Sequence, residues 1–561
     1  MKDHLQLRLA ALTAATVGAL MAGGTAAAQA KVPPASSRSH RAHHIERPQF
    51  RHRRLVVVGT DGNDRIALRL EAGRSDVLQV DVGDDGSADF RFNLQPVAAI
   101  AVDAGAGDDL VRIDETNGAF TNSIPTTIAG GDGNDTLFGG SGAELFLGGP
   151  DNDAIDGNGG NDVADLGAGD DTFVWDPGDG SDRIEGRDGN DTMVFNGAAA
   201  GETVSVAANG DRVTFARNPG NIAMDTRSVE NVDFNALGGS DSVAVHDLTG
   251  TGVSAVNLDL AGTRGGAGGD GQADRVAVDA TNGNDIVGVT GDASGVAVTG
   301  PAARVAVLHA EPTDELGVNG LAGIDSISAS ALAAQTIAAT LDGGVGGDRI
   351  SGGPGVEKLL GGDGNDSIDG NGGNDIADLG AGDDTFFWDP GDGSDTIEGG
   401  GGADTMVFNG AAASETVTVS ANGDRLTFFR NPANITMDTR GVETVDFNAL
   451  GGADVITVND LTGTGVTNVR VDLAGTMGGS AGDSATDRVI VNGTNGDDHI
   501  VVSGGTTGVR TSGLAPTVDV VHSEVANDRL ELNTLAGSDT VDPSALTAGA
   551  IQLLVDGVPV P

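Results

Sequence analysis

The chain has 561 residues, 91 glycines, no cysteine and a formal net charge of −51. That charge argues against nucleic acid and anionic membrane as partners, because both demand a basic surface, and without cysteine no disulfide staples the fold. Hydrophobic residues make up 38% and recur in short alternating runs, which predicts many thin layers rather than one thick core. So acidic a chain repels itself unless cations bind, and oxygen ligands suit calcium or magnesium best.

In chain order, residues 1–30 read as a secretory signal peptide. "MKDHLQLR" is the weakly basic start and "LAALTAATVGALMAGG" the apolar run, with Ala28-Gln29-Ala30 as the cleavage pattern before Lys31. The expected location is therefore secreted, extracellular or cell-surface, with no membrane span in the mature chain. Residues 31–54 form a Pro/Ser/Arg/His linker of opposite charge to the rest. His40, His43, His44 and His52 lie in it, with no expected strand or helix to fix them, which favours a solvated basic tether over a metal site.

From residue 55 the chain repeats itself at an offset of 213 residues: "DPGDGSD" at 176–182 returns at 389–395, and "DFNALGG" at 233–239 returns at 446–452. This ruler divides the body into β segments A at 55–129, 280–342 and 493–561, blocks B at 130–195 and 343–408, and β spacers C at 196–279 and 409–492. Repeats on this scale signal stacked supersecondary units. Within A and C a shorter Gly-x-Asp-x-aliphatic signal recurs, as at Gly62-Asn63-Asp64, Gly107-Asp108-Asp109 and Gly323-Ile324-Asp325, between runs such as "ETVSVAANGDRVTF". These runs predict strands and turns with little or no helix.

The B blocks are nonapeptides in phase. The first reads "GGDGNDTLF", "GGSGAELFL", "GGPDNDAID", "GNGGNDVAD", "LGAGDDTFV", then Trp175 and Asp176, then "PGDGSDRIE" and "GRDGNDTMV". The second runs from "GGVGGDRIS" to "GGGGADTMV" with Trp388 and Asp389 intervening at the same place. The sixth position is always acidic: Asp135, Glu144, Asp153, Asp162, Asp171, Asp182 and Asp191, then Asp348, Glu357, Asp366, Asp375, Asp384, Asp395 and Asp404. The eighth is apolar, as in Leu137, Phe146 and Ile155.

Glycine permits positive φ and close approach, so six residues make a tight turn, and three more make a minimal strand with one inward side chain. Two units make one coil of about 18 residues, which places Asp135 over Asp153 and Asp153 over Asp171. Paired carboxylates with backbone carbonyls supply the six or more oxygens that calcium takes. Without an ion the stacked carboxylates repel, so binding and folding are expected to be coupled.

These units resemble the RTX, or hemolysin-type calcium-binding, nonapeptide G-G-x-G-x-D-x-U-x. The resemblance implies an all-β fold: two calcium-binding parallel β-roll blocks within an elongated, β-solenoid-like repeat array. The flanking segments are either solenoid or sandwich. It implies several Ca²⁺ per block, held between coils by the sixth-position aspartates, with Glu144 and Glu357 as weaker candidates. The Trp-Asp insertions break the 18-residue phase and are expected to bend or interrupt the roll.

Family members are often toxins, proteases, lipases or epimerases with a separate catalytic domain, but here repeats occupy nearly all of 55–561. "GGSAG" at 478–482 fits a nucleophile elbow and "GAGGDG" at 266–271 a dinucleotide fingerprint. The 213-residue ruler sets Ala267 opposite Ser480 and Gly268 opposite Ala481, so each motif is dropped by its own twin. The expectation is a non-catalytic calcium-binding protein of structural, adhesive or surface role, with cell-surface or matrix components as candidate partners. The alternatives are a secreted enzyme of this type with an unrecognised active site, or an extracellular calcium buffer. The acidic stretch "DVGDDGSAD" at 81–89 is a further place where a cation could sit.

Overall fold

The computed structural model describes residues 45–560; the signal peptide and most of the basic tether lie outside the described residues. The described residues form strands and turns with no helix, and so none that could cross a membrane. The strands belong to two sheets, one of 25 and one of 24 strands. Along the rolls the chain alternates between them. Thr126–Asp132, Glu144–Pro150, Val163–Ala168 and Arg183–Asp188 pair in parallel in the first sheet. Thr136–Phe138, Ala154–Asp156, Thr172–Trp175 and Thr192–Asn196 do so in the second.

The register explains how so thin a core holds. Leu137, Ile155, Phe173 and Met193 stand directly over one another in the second sheet. Phe146, Ala164 and Ile184 do the same in the first. All seven are 0–1% exposed. Each short strand thus contributes one inward side chain, and stacking makes these single residues a continuous core. Both sheets run on through the A and C segments, which settles the open choice in favour of the solenoid over separate sandwiches. The ladder of the second sheet runs from Phe90–Asn93 to Thr540–Leu546 and is open at both ends.

The longer segments are accommodated as inlaid meanders. Thr203–Asn209, Arg212–Asn218 and Ile222–Arg227 form an antiparallel triplet in the first sheet. Its last strand docks in parallel on Arg183–Asp188, and its first receives Ser242–Val245. A second triplet, Ile286–Asp292, Gly295–Thr299 and Arg304–Leu308, sits in the second sheet in the same manner. Both recur in the second copy, at Thr416–Arg440 and His499–Val521. Each triplet adds one antiparallel strand and leaves the coil direction unchanged.

Two expectations need correction. The linker does not extend to residue 54: Ile45 is buried in the core, and Gln49–Arg51 pairs with Arg54–Val58, so this end joins the first sheet, with His52 exposed in the turn. Nor do the Trp-Asp insertions interrupt the roll. Val163–Ala168 and Arg183–Asp188 remain in parallel register across the insertion, which only lengthens that coil. Trp175 turns inward, stacks on Phe195 at 3.9 Å, and donates its indole N–H to the Gly180 carbonyl at 2.8 Å. Trp388 repeats this against Phe408 and Gly393.

Candidate metal centre

Every sixth-position acid of the two blocks is buried, none more than 5% exposed. Each sits at or just before the start of a strand, and the backbone N–H of all but Asp182 and Asp395 donates to a carboxylate of the next coil. Asp135 N–H donates to Asp153 Oδ1 at 2.8 Å, Asp153 to Asp171 at 2.7 Å, and Asp171 to Asp191 at 3.0 Å. On the other edge Glu144 donates to Asp162 at 2.6 Å, and Asp162 to Asp182 at 2.8 Å. The second block repeats both files: Asp348, Asp366, Asp384 and Asp404 on one edge, Glu357, Asp375 and Asp395 on the other.

The ladder uses one carboxylate oxygen and leaves the second without a partner. Oδ2 is buried and unpartnered in all twelve of these aspartates, as is Oε1 of Glu144. Glu144 and Glu357 depart from the aspartates because the longer side chain folds back to accept the Gly140 and Gly353 N–H groups, at 2.9 and 2.8 Å. Leaving a charged oxygen buried and unpaired is costly. Burial, with Asp135 and Asp171 beside it, pushes Asp153 up to about 8. Burial with Asp182 and Glu144 pushes Asp162 up to about 9, and burial with Asp395 and Glu357 pushes Asp375 up to about 8.

Several of the unpartnered oxygens lie beside backbone carbonyls. A methyl built on Gly148 would lie 2.1 Å from the Leu166 carbonyl oxygen and 2.5 Å from Asp153 Oδ2. At Gly361 the same pair is the Leu379 carbonyl at 2.1 Å and Asp366 Oδ2 at 2.6 Å. This is why the first position favours glycine: a side chain there would fill the space that the two oxygens share. Among the described residues no three His, Cys, Asp or Glu side chains gather as a metal cluster. An ion between coils would therefore take its remaining ligands from main-chain carbonyls. An all-oxygen set with anionic members fits Ca²⁺.

The files run beyond the blocks, into residues that sequence reasoning did not assign. Asp64 and Asp109 lead into Asp135, and Glu230 follows Asp191. Glu202, Asp241, Asp274 and Asp314 form a new file that starts at the head of the first meander. The shared signal is an acid two residues before the first buried apolar residue of a strand, as in Asp274-Arg275-Val276. The coils there are 33–40 residues long, which hides the period.

Some of these acids carry a built-in partner. Thr281 donates its N–H and hydroxyl to Asp285 Oδ2 at 2.9 and 2.8 Å, and Thr60 and Thr494 serve Asp64 and Asp498 likewise. Arg217 forms a buried ion pair with Glu202 while its guanidinium lies 5.3 Å from the centre of the Trp175 ring; Arg430, Glu415 and Trp388 repeat this. Asp81, in the acidic stretch 81–89, is likewise held by Arg69 at 2.8 Å and by the Gly86 N–H at 2.9 Å.

No curated protein matches the chain. Among solved structures, the extracellular lipase LipA from Serratia marcescens aligns over 62% of this chain at 13% identity and a TM-score of 0.13. The chain spans 43% of that protein's length. A family model for the RTX calcium-binding nonapeptide repeat matches residues 126–155, 139–173, 178–197, 351–386 and 391–410. Its gaps at 174–177 and 387–390 fall on the Trp-Asp insertions. With the glycine turns, the stacked acids and the parallel coils already in place, the two blocks are RTX-type calcium-binding nonapeptide repeats.

Proposed function

We propose that this is a secreted, non-catalytic protein in which Ca²⁺ between coils drives folding and makes a rigid extracellular element of structural, adhesive or surface role. The observation that carries the reading is the file of buried carboxylate oxygens without partners, from Asp135 to Asp191 and from Asp348 to Asp404. A divalent cation bound there supplies the positive charge that offsets carboxylate repulsion. The chain's own part is to fix each carboxylate through the N–H of the preceding coil, to aim the free oxygen at a carbonyl, and to exclude water by burial.

The non-catalytic part is supported by how the chain is spent. The two sheets take up the length from Gln49 to Pro559. Secretion is supported by the N-terminal segment and by the high calcium levels that such sites meet outside cells. The test is far-UV circular dichroism of the full chain in millimolar calcium and in chelator, with analysis of the culture fluid for a chain beginning at Lys31. Loss of the β signal in chelator is expected, and equal spectra contradict calcium-coupled folding.

A further inference from the structure

Outside the nonapeptide blocks six buried acids also have an oxygen without a partner: Asp109, Glu202, Asp241, Asp325, Glu415 and Asp454. Their surroundings separate them. Five residues before Asp109, Asp241 and Asp454 stand Ala104, Ala236 and Ala449, which bring a methyl where ten of the fourteen block units have glycine and the others have Leu166, Pro177, Leu379 and Pro390. Glu202 and Glu415 are paired with Arg217 and Arg430. Asp325 alone, among the described residues, combines the free oxygen, a glycine at that position and no arginine.

Its geometry matches a block site. Asp325 is 2% exposed. Its Oδ1 accepts the Asp285 N–H at 2.7 Å, and its own N–H donates to Asp348 Oδ1 at 2.7 Å. A methyl on Gly320 would lie 2.4 Å from the Gly343 carbonyl oxygen and 2.7 Å from Asp325 Oδ2, the same pair found at Gly361. The turn follows the same path: Gly323 has φ 142° against 141° at Gly364, and Leu321, at φ 72°, replaces the second glycine. "GLAGIDSIS" at 320–328 is a nonapeptide in shape, concealed by that leucine.

We propose that Asp325 and the Gly343 carbonyl form an additional calcium site at the entrance to the second roll, ahead of the matched residues. The inference rests on the calcium reading of the blocks. In the first roll the corresponding acid, Asp109, has Ala104 in place of the glycine.

Equilibrium dialysis of the full chain against calcium, counting ions per chain, tests this. Asp325→Asn keeps an oxygen for the Asp285 N–H and removes the anionic one; Gly320→Ala fills the shared space and keeps the charge. Both variants are expected to bind one ion fewer than the parent, while Asp285→Asn, whose carboxylate Thr281 already serves, binds as many. Unchanged counts in the first two beside a lowered count in Asp366→Asn overturn the additional site and leave the block reading standing. An unchanged count in Asp366→Asn as well overturns that reading. Should Asp325→Asn fail to reach the parent's circular dichroism in saturating calcium, Gly320→Ala decides, since this fold accommodates alanine at the same position before Asp109, Asp241 and Asp454.

Discussion

Asp135 donates its backbone N–H to Asp153 Oδ1 across 2.8 Å although the two are 18 residues apart. The bond consumes one oxygen of Asp153 and fixes the other, buried and unpartnered, beside the Leu166 carbonyl. The carboxylate therefore has two separable roles. Asp153→Ala removes both and strands the Asp135 N–H, at a cost of about 1–3 kcal/mol. Asp153→Asn keeps the acceptor and removes only the charge. Urea unfolding should show the asparagine variant less stable than the parent in calcium and more stable in chelator, whereas the alanine variant is less stable in both.

Acidity should substitute for calcium in part. Burial first, and neighbouring acids second, raise Asp153 and Asp375 to about 8 and Asp162 to about 9. An unfolded aspartate titrates near about 4. Between these values the folded state binds more protons than the unfolded one. The contribution of these acids to the calcium-free fold is therefore fully present below about pH 4 and is lost as pH rises through 8–9. In chelator the β signal should grow on acidification from about pH 8 to about pH 5. A signal that stays flat or falls contradicts the protonation account.

Arg217 and Glu202 make a buried pair, with side chains 7% and 0% exposed. Arg217→Met leaves Glu202 charged and alone, which should cost about 3–5 kcal/mol. Adding Glu202→Gln should restore most of the loss. Chemical denaturation in saturating calcium measures both, and a double variant no better than the single one would show that packing against Trp175 matters more than charge.

The glycines differ in what they permit. Gly210, at φ 69°, closes a hairpin with open space around it, so Gly210→Ala should cost only about 1–2 kcal/mol. At Gly167, φ is 122° and a methyl would lie 1.9 Å from the Gly149 carbonyl oxygen, so the coils themselves must part. Gly167→Ala should exceed roughly 3 kcal/mol, placing it in the tail of single-substitution effects. Similar melting temperatures for the two variants would refute the close-approach argument.

Much of this architecture was legible in the residues. The nine-residue phase placed Leu137 inside and Asp135 on an edge, because turn and strand alternate at fixed length there. Asp274 and Asp314 escaped because a loop of variable length precedes them, and only the acid-x-apolar ending survives. The role of Trp175 was misread: phase alone cannot tell a broken coil from a longer one whose extra residue turns inward and stacks on Phe195. Arg217 left no signal near Glu202, since 15 residues and a hairpin separate them. Which side chains meet across a hairpin is a tertiary fact that local pattern does not encode.

Hydrogen exchange of the full chain, followed by mass spectrometry in calcium and in chelator, tests the central claim most directly. In calcium the amides of Asp135, Asp153, Asp171, Asp348, Asp366 and Asp384 should be protected as ladder donors. In chelator peptides from 130–195 and 343–408 should exchange within the dead time. Equal protection of those peptides in both conditions would contradict a fold held together by cations between its coils.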